Sequence, residues 1–564
     1  MAANLTPVET RAQDALFVAQ CSLEGLRQRL PLPWPTPPHI PSSPKKSYRS
    51  QYVYLGWEDL EDPAAWSQLS DFDLLLRLVD FDGLRPVLAH LLGWHSARGH
   101  VPFDPVSLFL FIGWQLDHHW SRAEALRNLA SPRYADYAQR FGFREGVFPT
   151  EGGIRYFLTT LGRQSDAHGQ AVTVDAVRSI AIAMQRLNQL LAQSVALLRE
   201  AGVISPQAWA HAIICPDGML HEAASRMRCA SATDTCYQPT TPAAPRPCPA
   251  RAKGRQGCDC ATLACATACR YATPRDPEAR FVWYAGSNQP TTNPNQPADD
   301  TPSPPKRGKG VYGYRSLPVQ WVDPLRRFSL ILLDDFRPAN QPETDPMAAL
   351  LLQLPVFYPD LHVEAVVGDA GLGYDQILDL VYHHLHARRV IDLRRHDTDQ
   401  DQTLWPLRGY DDTGRPICPF GYAFISNGYD DDRQRHKWFC NQACRKGVPP
   451  AVTLPDVIYP PPDCPYQGPD HPHGRIINIA DRFPDGSIRL VRDIPYQSPA
   501  WKRLYHQARN AVEGRNAAFQ GRGLKRLPVY GLPRGKAVDF LNDVWLNLST
   551  LARLVREATA ATGC

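Results

Sequence analysis

The spacing of apolar residues predicts helices in the first third of the chain. From about 66 to 200, apolar side chains recur every three or four positions, as in LSDFDLLLRLVDFDGLRPVLAHLLGW, which is typical of amphipathic helices. Ser121 and Glu124 stand three positions apart and predict a capping box at a helix start. We therefore predict a helical domain over 66–205 that ends in a long amphipathic stretch at 170–200.

Beyond this region, short apolar runs that end at turn residues predict β-strands. The runs are WAHAIICPDGML, GVYGYRSLPVQWVD and RRFSLILLDDF, with a turn at Asp323-Pro324 between the last two. Predicted helices at NQPETDPMAALLLQL and YDQILDLVYHHLHAR then alternate with predicted strands at HVEAVVGDAG and RVIDL. Because such alternation is typical of parallel or mixed sheets flanked by helices, we predict an α/β core over 206–227, 311–395 and 499–564.

Three segments fall outside these patterns. Residues 1–65 include LPLPWPTPPHIPSSPKKSYRS, which predicts an extended arm or linker without a core. Residues 228–310 are rich in cysteine and proline, and residues 396–498 form a second interruption that also carries cysteines. We interpret both as insertions in the α/β core.

Composition excludes little. The 564 residues carry a formal net charge of +4, with 43% hydrophobic and 21% charged residues, as in a globular protein whose average charge dictates no partner. The first residues, MAANLTPVETRAQDALFVAQC, lack the pattern of a signal peptide. The longest apolar patch, VSLFLFIGW, is shorter than the ~18 residues of a membrane span. We expect a bacterial cytoplasmic protein without membrane contact.

The cysteines are clustered, with seven of the fourteen in 229–269 and four in 418–464. Such clusters indicate metal binding or reduced thiols rather than a disulfide framework. A tetrahedral zinc site is one interpretation of each cluster, and the alternatives are thiols packed in an insertion or, for the first cluster, disorder without a metal. The candidate ligands are Cys418, Cys440, Cys444 and Cys464, with His471 and His473 as spares, and Cys258, Cys260, Cys265 and Cys269.

Carboxylates lie at the ends of predicted elements. Asp217 and Asp369 each follow a predicted strand, and Glu513 lies in a C-terminal helix. Three carboxylates from separate elements can hold two hard cations such as Mg²⁺, which stabilise the attacking and leaving oxygens of a phosphoryl displacement. The simpler alternative is that Asp369 caps a turn.

A second alternative is a dinucleotide site. Gly371 and Gly373 begin a G-x-G-x-x-G pattern, and Asp392 follows about 20 residues later, as such a site requires. The third glycine position, however, is Gln376.

The surroundings of Glu513 carry a further signal. Tyr505, Arg509 and Glu513 share one helix face, and 501–536 holds nine Lys or Arg residues against this single acid. A lone carboxylate among cations suits a metal ligand beside a phosphate backbone, whereas an ordinary Arg-Glu pair within a helix is the alternative.

Four motifs in order resemble one family. They are the helical stretch FDGLRPVLAHLLGWHSARGHVPFDPVSLFLFIGW with SRAEALRNL, then CPDGMLHEAASR, VVGDAGLGYDQI and YHQARNAVEGRNAAFQ. Together they are similar to the DDE transposases of bacterial insertion sequences, whose catalytic domain has a ribonuclease-H-like fold. The resemblance covers most of the chain and implies an α/β, ribonuclease-H-like mixed sheet flanked by helices, with a helical N-terminal domain and two cysteine-containing insertions. It also implies that the segment 396–498 is β-rich.

The resemblance implies a site and partners. Asp217, Asp369 and Glu513 would be the catalytic triad that binds two Mg²⁺ or Mn²⁺ ions. Tyr505 stands one position earlier than in the family, and Gln520 replaces its lysine. Double-stranded DNA, both terminal inverted repeats and target, is the expected partner, with the helical domain contributing to recognition and a homodimer assembling on the nucleoid. The expected DNA contacts are Arg509, Tyr505, Lys502, Arg503, Arg515, Lys525 and Arg526. A regulatory DNA-binding protein without catalysis and a metal-dependent nuclease are the alternatives.

Overall fold

A computed structural model of the chain describes a large part of its residues. These are residues 26, 28–37, 47–57, 63–66, 68–94, 101–163, 174–224, 276, 278–284, 309–323, 326, 328–392, 415–430, 432–433, 435–454, 457–480 and 499–561. The fold is mixed α/β, with helices and several separate sheets. No helix in these ranges combines the length and apolarity that crossing a membrane requires.

Helices dominate both ends of the chain. They are α1 Pro63–Trp66, α2 Asp71–Leu78, α3 Leu84–Leu91, α4 Pro105–Asp117, α5 Arg122–Leu129, α6 Ala135–Arg140, α7 Glu151–Gly162, α8 Val174–Glu200, α9 Pro206–Ala210, α10 Thr344–Phe357, α11 Asp375–Asp379, α12 Pro499–Gly521 and α13 Leu532–Ala561. At the start of α5 the Ser121 side chain accepts the Glu124 N–H at 3.3 Å, so the predicted N-cap is confirmed.

Strands occupy the middle of the chain. They are β1 Leu32–Pro33, β2 Val79–Asp80, β3 Ala212–Pro216, β4 Met219–Glu222, β5 Arg280–Tyr284, β6 Lys309–Ser316, β7 Val319–Asp323, β8 Phe328–Leu333, β9 Phe336–Pro338, β10 Val363–Gly368, β11 Arg388–Ile391, β12 Ile425–Asp430, β13 Arg435–Phe439 and β14 Ile476–Ala480.

The central sheet has five strands in the order β11-β10-β3-β7-β8. Strands β3, β7 and β8 are antiparallel neighbours, whereas β10 pairs parallel to β3 and β11 parallel to β10. A second sheet consists of β4, β6 and β5, with β9 paired to β6. Strands β3, β10 and β11 therefore bring their carboxyl ends to one edge of the central sheet.

One predicted strand is divided between two sheets. The sequence GVYGYRSLPVQWVD forms β6 and β7, which belong to different sheets, with Pro318 between them. The undivided strand was the wrong prediction because proline has no N–H to donate to a ladder and restricts the backbone. The same change of sheet separates β3 from β4, after Pro216.

Each face of the central sheet has its own helical cover. Ile213 and Cys215 of β3 and Val367 of β10 pack in a cluster with residues of α12, which contacts all five strands. The alternate residues Ile214 and Val366 belong instead to the main core, together with α8 and α10. The two-residue alternation of a strand thus decides which side chains face α12.

The N-terminal helices share one core with the end of the chain. The ring of Trp545 in α13 stacks on Phe109 of α4 with centroids 4.8 Å apart, and it also contacts Phe72 at 5.2 Å and Phe81 at 5.9 Å. Helix α13 packs against α2, α4, α7 and α8. The described residues of the helical region therefore share one apolar core with the sheet.

The predicted arm at 1–65 is partly inside this core, contrary to expectation. Trp34 is buried, stacks on Phe81 at 5.8 Å and donates its indole N–H to Gln193 at 2.8 Å, while Tyr52 is buried as well. The correction has a physical reason. Burial of a large aromatic side chain such as Trp34 stabilises the fold, and this outweighs the preference of a proline-rich segment for an extended path on the surface.

The segment 415–480 carries a small sheet of its own. Strands β12, β13 and β14 are antiparallel in that order. We call the described residues of 415–480 the insertion unit.

Gly113 tests the contact between α4 and α13. A Cβ at this position would stand 2.1 Å from the buried Trp545 ring, which is locked by its aromatic neighbours. We expect Gly113→Ala to destabilise the protein by about 1 to 3 kcal/mol, as overpacking does. Urea unfolding of both proteins measures the difference.

Gly152→Ala is the matched control. Its Cβ would come no closer than 3.7 Å to the Thr150 hydroxyl, and its helix position favours alanine by up to about 1 kcal/mol. Equal stability of the two variants would contradict the packing of α13 against α4.

Candidate active site

Asp217 and Asp369 meet because they continue two neighbouring strands. Asp217 follows β3 in the same two-residue register as Ile213 and Cys215, and Asp369 follows β10 in the register of Val367. Since β3 and β10 are parallel and hydrogen-bonded, both carboxylates lie at one edge of the sheet, on the α12 side. The pairing of these two predicted residues is thus a consequence of strand order.

Helix α12 holds Asp217 through two hydrogen bonds. Arg509 donates from Nη1 to Oδ1 of Asp217 at 3.0 Å, and Asn516 donates from Nδ2 to Oδ2 at 3.2 Å. The Asp217 side chain is only 10% exposed. Burial acts to lower the pKa of Arg509, but the charges of Asp217, Cys215 and Asp369 and the hydrogen bond to Asp217 together raise that pKa. The guanidinium is therefore a fixed positive charge at this edge.

Asp369 begins a tight turn. Its Oδ1 accepts the Gly371 N–H at 2.9 Å. Burial raises the pKa of Asp369, and the nearby carboxylates of Asp217 and Asp392 add to the rise while Arg509 opposes it. Burial is thus the main cause of the rise, and the positive charge of Arg509 does not offset it.

The same turn disfavours a dinucleotide site. Asp369 takes the Gly371 amide that a pyrophosphate would need, and residues 370–372 form a 3₁₀ turn instead of a helix start. The following helix α11 is five residues long and continues as a π-turn over Leu380–His384. Little helix dipole is therefore directed at this loop.

Glu513 lies on the helix that contacts Asp217. It is four residues after Arg509 and three before Asn516, and residues at these spacings share a helix face. Its side chain is exposed, unlike that of Asp217. Glu513 therefore lies on the same helix as Arg509 and Asn516, which bond Asp217, and its carboxylate is accessible to solvent.

Two further carboxylates adjoin the site, and the predicted triad did not include them. Asp392 follows β11 in the register of Val390, its N–H bonds the Gly368 carbonyl at 3.0 Å, and its charge acts on Asp369. The sequence signal was the strand RVIDL, whose end is acidic like those of β3 and β10.

Glu343 is the other missed carboxylate. It precedes α10 and pairs with Arg315 at 2.8 Å, and a Cβ on Gly218 would stand 3.2 Å from its Oε2. Burial raises the pKa of Glu343, Arg315 opposes the rise, and Asp369 and Asp217 add to it. No local pattern marks this residue, because β4, β6 and α10 bring it to the edge only in the folded chain.

The predicted DNA contacts divide into exposed and buried groups. Arg503, Lys525 and Arg526 are exposed, whereas Lys502 is half-buried. Tyr505 stacks on Trp501 with centroids 4.4 Å apart, and burial, followed by the charge of Asp392, raises its pKa to about 12. The tyrosine thus packs beside the carboxylate edge as a neutral side chain.

Arg515 cannot contact DNA, and its prediction was wrong. Its side chain is 1% exposed and bonds Asp543 through Nε at 2.9 Å and Nη2 at 2.8 Å, and Asp334 through Nη2 at 3.1 Å. Spacing along α12 turns it away from Arg509 and Asn516 and into the core between α12, α13 and β8. Counting cations in the sequence could not separate internal from surface charge.

A buried acidic cluster surrounds Arg515. The carboxylates of Asp334, Asp539 and Asp543 have oxygens that all lie within 4.8 Å of one another, close enough to hold a cation. Arg515 already supplies one positive charge there. His221 lies 3.5 Å from Asp539, but burial lowers its pKa to about 3, so it stays neutral and adds no charge.

Carboxylates outnumber positive charges in this cluster, and this favours protonated carboxyl groups within it. Burial raises the pKa of Asp539 to about 7, with Asp543 adding to the rise and Arg515 opposing it. Burial likewise raises the pKa of Asp334 well above its usual range. A proton on one carboxyl group therefore accompanies Arg515 in balancing the cluster.

The two cysteine clusters differ in what the structure describes. Cys418, Cys440, Cys444 and Cys464 are free thiols that line one cavity of the insertion unit, so the second cluster converges. Cys258, Cys260, Cys265 and Cys269 lie outside the described residues.

Asp539→Asn tests the retained proton. Because the folded pKa of Asp539 is raised, its contribution to stability is complete below the unfolded pKa and is lost as pH rises through about 7. We expect wild-type stability to fall relative to Asp539→Asn between about pH 4 and 7, since asparagine mimics the protonated acid. Urea unfolding across this pH range measures the difference.

Asp543→Asn is the comparison for that series. It removes a charge that pairs with Arg515 through two bonds, so it should cost about 3 kcal/mol or more throughout the range. Parallel pH profiles for wild type and Asp539→Asn would refute the retained proton.

No family model matches the chain, and neither a curated protein nor a solved structure matches it. The side chains gathered at the sheet edge are therefore the basis for assigning a function.

Proposed function

We propose that the protein is a DNA transposase of the DDE type, which cuts DNA strands at the ends of its element and joins them to target DNA. The observation that carries the proposal is the pair Asp217 and Asp369, at the carboxyl ends of adjacent parallel strands, with Glu513 on the helix that bonds Asp217. Carboxylates from separate elements that meet at one edge can hold the cations that assist phosphoryl transfer.

The topology of the central sheet supports a ribonuclease-H-like core. Three consecutive antiparallel strands, β3, β7 and β8, are followed by β10 and β11, which add in parallel on the other side of β3. The first and fourth strands of this order carry Asp217 and Asp369. That arrangement agrees with the fold expected for this family of enzymes.

The donor set at the edge fits hard divalent cations. Asp217, Asp369, Glu343 and Asp392 adjoin one another, and beyond the effect of burial their mutual repulsion raises the pKa of Asp369 and of Glu343. Carboxylate oxygens are the ligands that Mg²⁺ or Mn²⁺ prefers. We propose Asp217, Asp369 and Glu513 as the residues that hold two such ions. When bound, the ions would supply charge stabilisation for the attacking and leaving oxygens.

The protein's own side chains would then orient the reaction. Arg509 and Asn516 fix both oxygens of Asp217, so the direction in which this carboxylate presents its free lone pairs is set by α12. Arg509 also places a positive charge where a phosphate would approach. Tyr505, which stacks on the buried Trp501, lies next to Arg509.

Double-stranded DNA is the proposed partner, at both the element ends and the target. Arg503 lies on α12, and Lys525 and Arg526 come shortly after its end. The exposed cations therefore lie on, and just beyond, the helix that carries Glu513. Such cations hold the phosphate backbone without reading its sequence. A homodimer bound to two DNA ends would provide one carboxylate edge for each DNA strand that is cut.

One observation favours a second candidate, a DNA-binding protein without catalysis. Arg509 occupies an oxygen of Asp217 that a cation would share, and a guanidinium there competes with metal binding. This candidate predicts DNA binding that neither a divalent ion nor Asp369 affects.

Cleavage by the wild type and Asp369→Asn tests the proposed chemistry. The substrate is duplex DNA that carries the segments flanking the gene, incubated with Mg²⁺ or Mn²⁺. Losing several kcal/mol of transition-state stabilisation should slow cleavage by about a thousandfold. DNA binding should persist, and a strand-transfer assay on the same products separates a transposase from a nuclease.

The third carboxylate is tested in the same assay. Glu513→Gln should be as inactive as Asp369→Asn, whereas Glu343→Gln and Asp392→Asn should keep more activity if Glu513 completes the site. Equal DNA binding with no cleavage by either wild type or variant would support the non-catalytic candidate instead.

The salt dependence of DNA affinity tests the exposed cations. Replacing Arg503, Lys525 and Arg526 with alanine should reduce the slope of log affinity against log salt by roughly one for each phosphate that is no longer neutralised. Fluorescence anisotropy with labelled duplex DNA at several salt concentrations measures the slope.

Arg388→Ala is the control for this series. It is exposed as well, but it begins β11 at the sheet edge opposite the carboxylates. An unchanged slope in the triple variant would exclude α12 and the residues after it from the DNA interface.

A further inference from the structure

The four cysteines of the insertion unit come from separate turns. Cys418 adjoins the bridge between Ile417 and Ala423, Cys440 follows the strand β13, and Cys444 lies in the turn Ala443–Arg445. Cys464 precedes the turn Pro465–Gln467. All four thiols line one cavity of about 30 Å³, which is more than a single water molecule needs.

Backbone amides converge on these sulfurs. The Arg475 N–H donates to Sγ of Cys440 at 3.1 Å, and the backbone amides of Phe420 and Tyr422 hydrogen-bond to Cys418. Hydrogen bonds of this kind orient a sulfur and favour its thiolate, although burial outweighs them and raises the pKa of Cys418 to about 11. Backbone amides therefore orient two of the four sulfurs, those of Cys418 and Cys440.

Gly474 allows the closest approach. Its φ is +67°, and a Cβ there would stand 2.2 Å from Sγ of Cys440. Only glycine fits both the backbone conformation and the space left by the sulfur.

A buried cation adjoins the same cavity. Arg475 is 8% exposed and lines the cavity, and its Nε and Nη1 atoms have no hydrogen-bond partner among the described residues. Its guanidinium lies 5.8 Å from the Tyr466 ring. A buried positive charge without a counter-charge is strongly unfavourable, so negative charge is expected beside it.

The insertion unit also lacks the apolar core to fold unaided. Its buried apolar side chains within the described residues are Ile417, Tyr422, Phe424, Ala443 and Leu454, whereas Ile425, Val448, Ile458 and Ile476 are exposed. Ile458 is 77% exposed. A unit of this size with so small a core usually relies on a metal or on disulfides, and its cysteines are free.

We propose that Cys418, Cys440, Cys444 and Cys464 bind one Zn²⁺ ion, and that Arg475 balances the charge of the resulting centre. Four thiolates around Zn²⁺ carry a net charge of −2, which explains a buried guanidinium that no described acidic side chain of the unit pairs. Each thiol releases its proton to solvent on binding, so affinity falls at low pH.

Binding requires the sulfurs to move inward. Among the described residues, the ligand atoms of the buried acidic cluster all lie within 4.8 Å of one another. The four sulfurs are spaced more widely around their cavity. Tetrahedral zinc has Zn–S distances of about 2.3 Å, and rotation of the cysteine side chains brings the sulfurs together.

Cobalt substitution of the full-length chain tests the site without mutation. The reduced protein is stripped of metal and titrated with Co²⁺, and we expect thiolate-to-cobalt charge-transfer bands with the strong visible bands of tetrahedral coordination. Zn²⁺ should then abolish these bands. A titration without charge-transfer bands would overturn the proposal.

Paired substitutions assign the ligands. Cys440→Ser with Cys444→Ser should lower bound zinc by one ion per chain, measured by mass spectrometry of the metal, which separates this site from any other in the chain. His471→Ala and His473→Ala are the controls, since both side chains are exposed and should leave zinc content unchanged. Loss of zinc in a histidine variant, or full zinc in the cysteine variant, would refute this ligand set.

Arg475 is tested by the rate of zinc release to a chelator. Arg475→Met should release zinc about 10- to 100-fold faster, as removal of a group that supports the ligands does, whereas Arg475→Lys keeps the charge and should lie closer to the wild type. Equal rates for Met and Lys variants would show that the charge has no role in the centre.

Discussion

The guanidinium of Arg515 joins three parts of the fold that lie far apart along the chain. It bonds Asp543 of α13 and Asp334 at the end of β8, while belonging itself to α12. Because these groups are buried, removal of the Arg515 guanidinium would leave uncompensated negative charge in the core. The network therefore fixes how α12 is rotated about its axis, and that rotation turns Arg509 and Asn516 toward Asp217.

A second constraint closes the chain upon itself. Trp545 contacts the rings of Phe72, Phe81 and Phe109, so the last helix completes the core of the N-terminal helices. Helix α12 lies directly before α13 in sequence, and α13 packs along the N-terminal helices. The bonds from Arg515 to Asp543 therefore connect α12 to the helix that completes the core of the N-terminal helices.

The candidate site has more acidic groups than a minimal triad. Asp392 and Glu343 adjoin Asp217 and Asp369, and Arg509 and Arg315 oppose their charge without cancelling it. Excess negative charge at a sheet edge favours a cation, and an arginine bound to Asp217 preserves the folded site without one. The insertion unit lies between β11 and α12 in the sequence, and both of these elements contribute to the carboxylate edge.

Local pattern decided much of this protein, because helix and strand periodicity depend on residues a few positions apart. It predicted the helices of the first third, the strand ends at Asp217 and Asp369, and a helix around Glu513. It could not tell that Arg515 is internal while Arg503 is exposed, or that Trp34 lies in the core. Burial, strand order and the meeting of Asp217 with Asn516 or of Cys418 with Cys464 depend on contacts across long stretches of chain. Those contacts are set by how whole elements pack, so only the tertiary structure decided which of the candidate residues share a site.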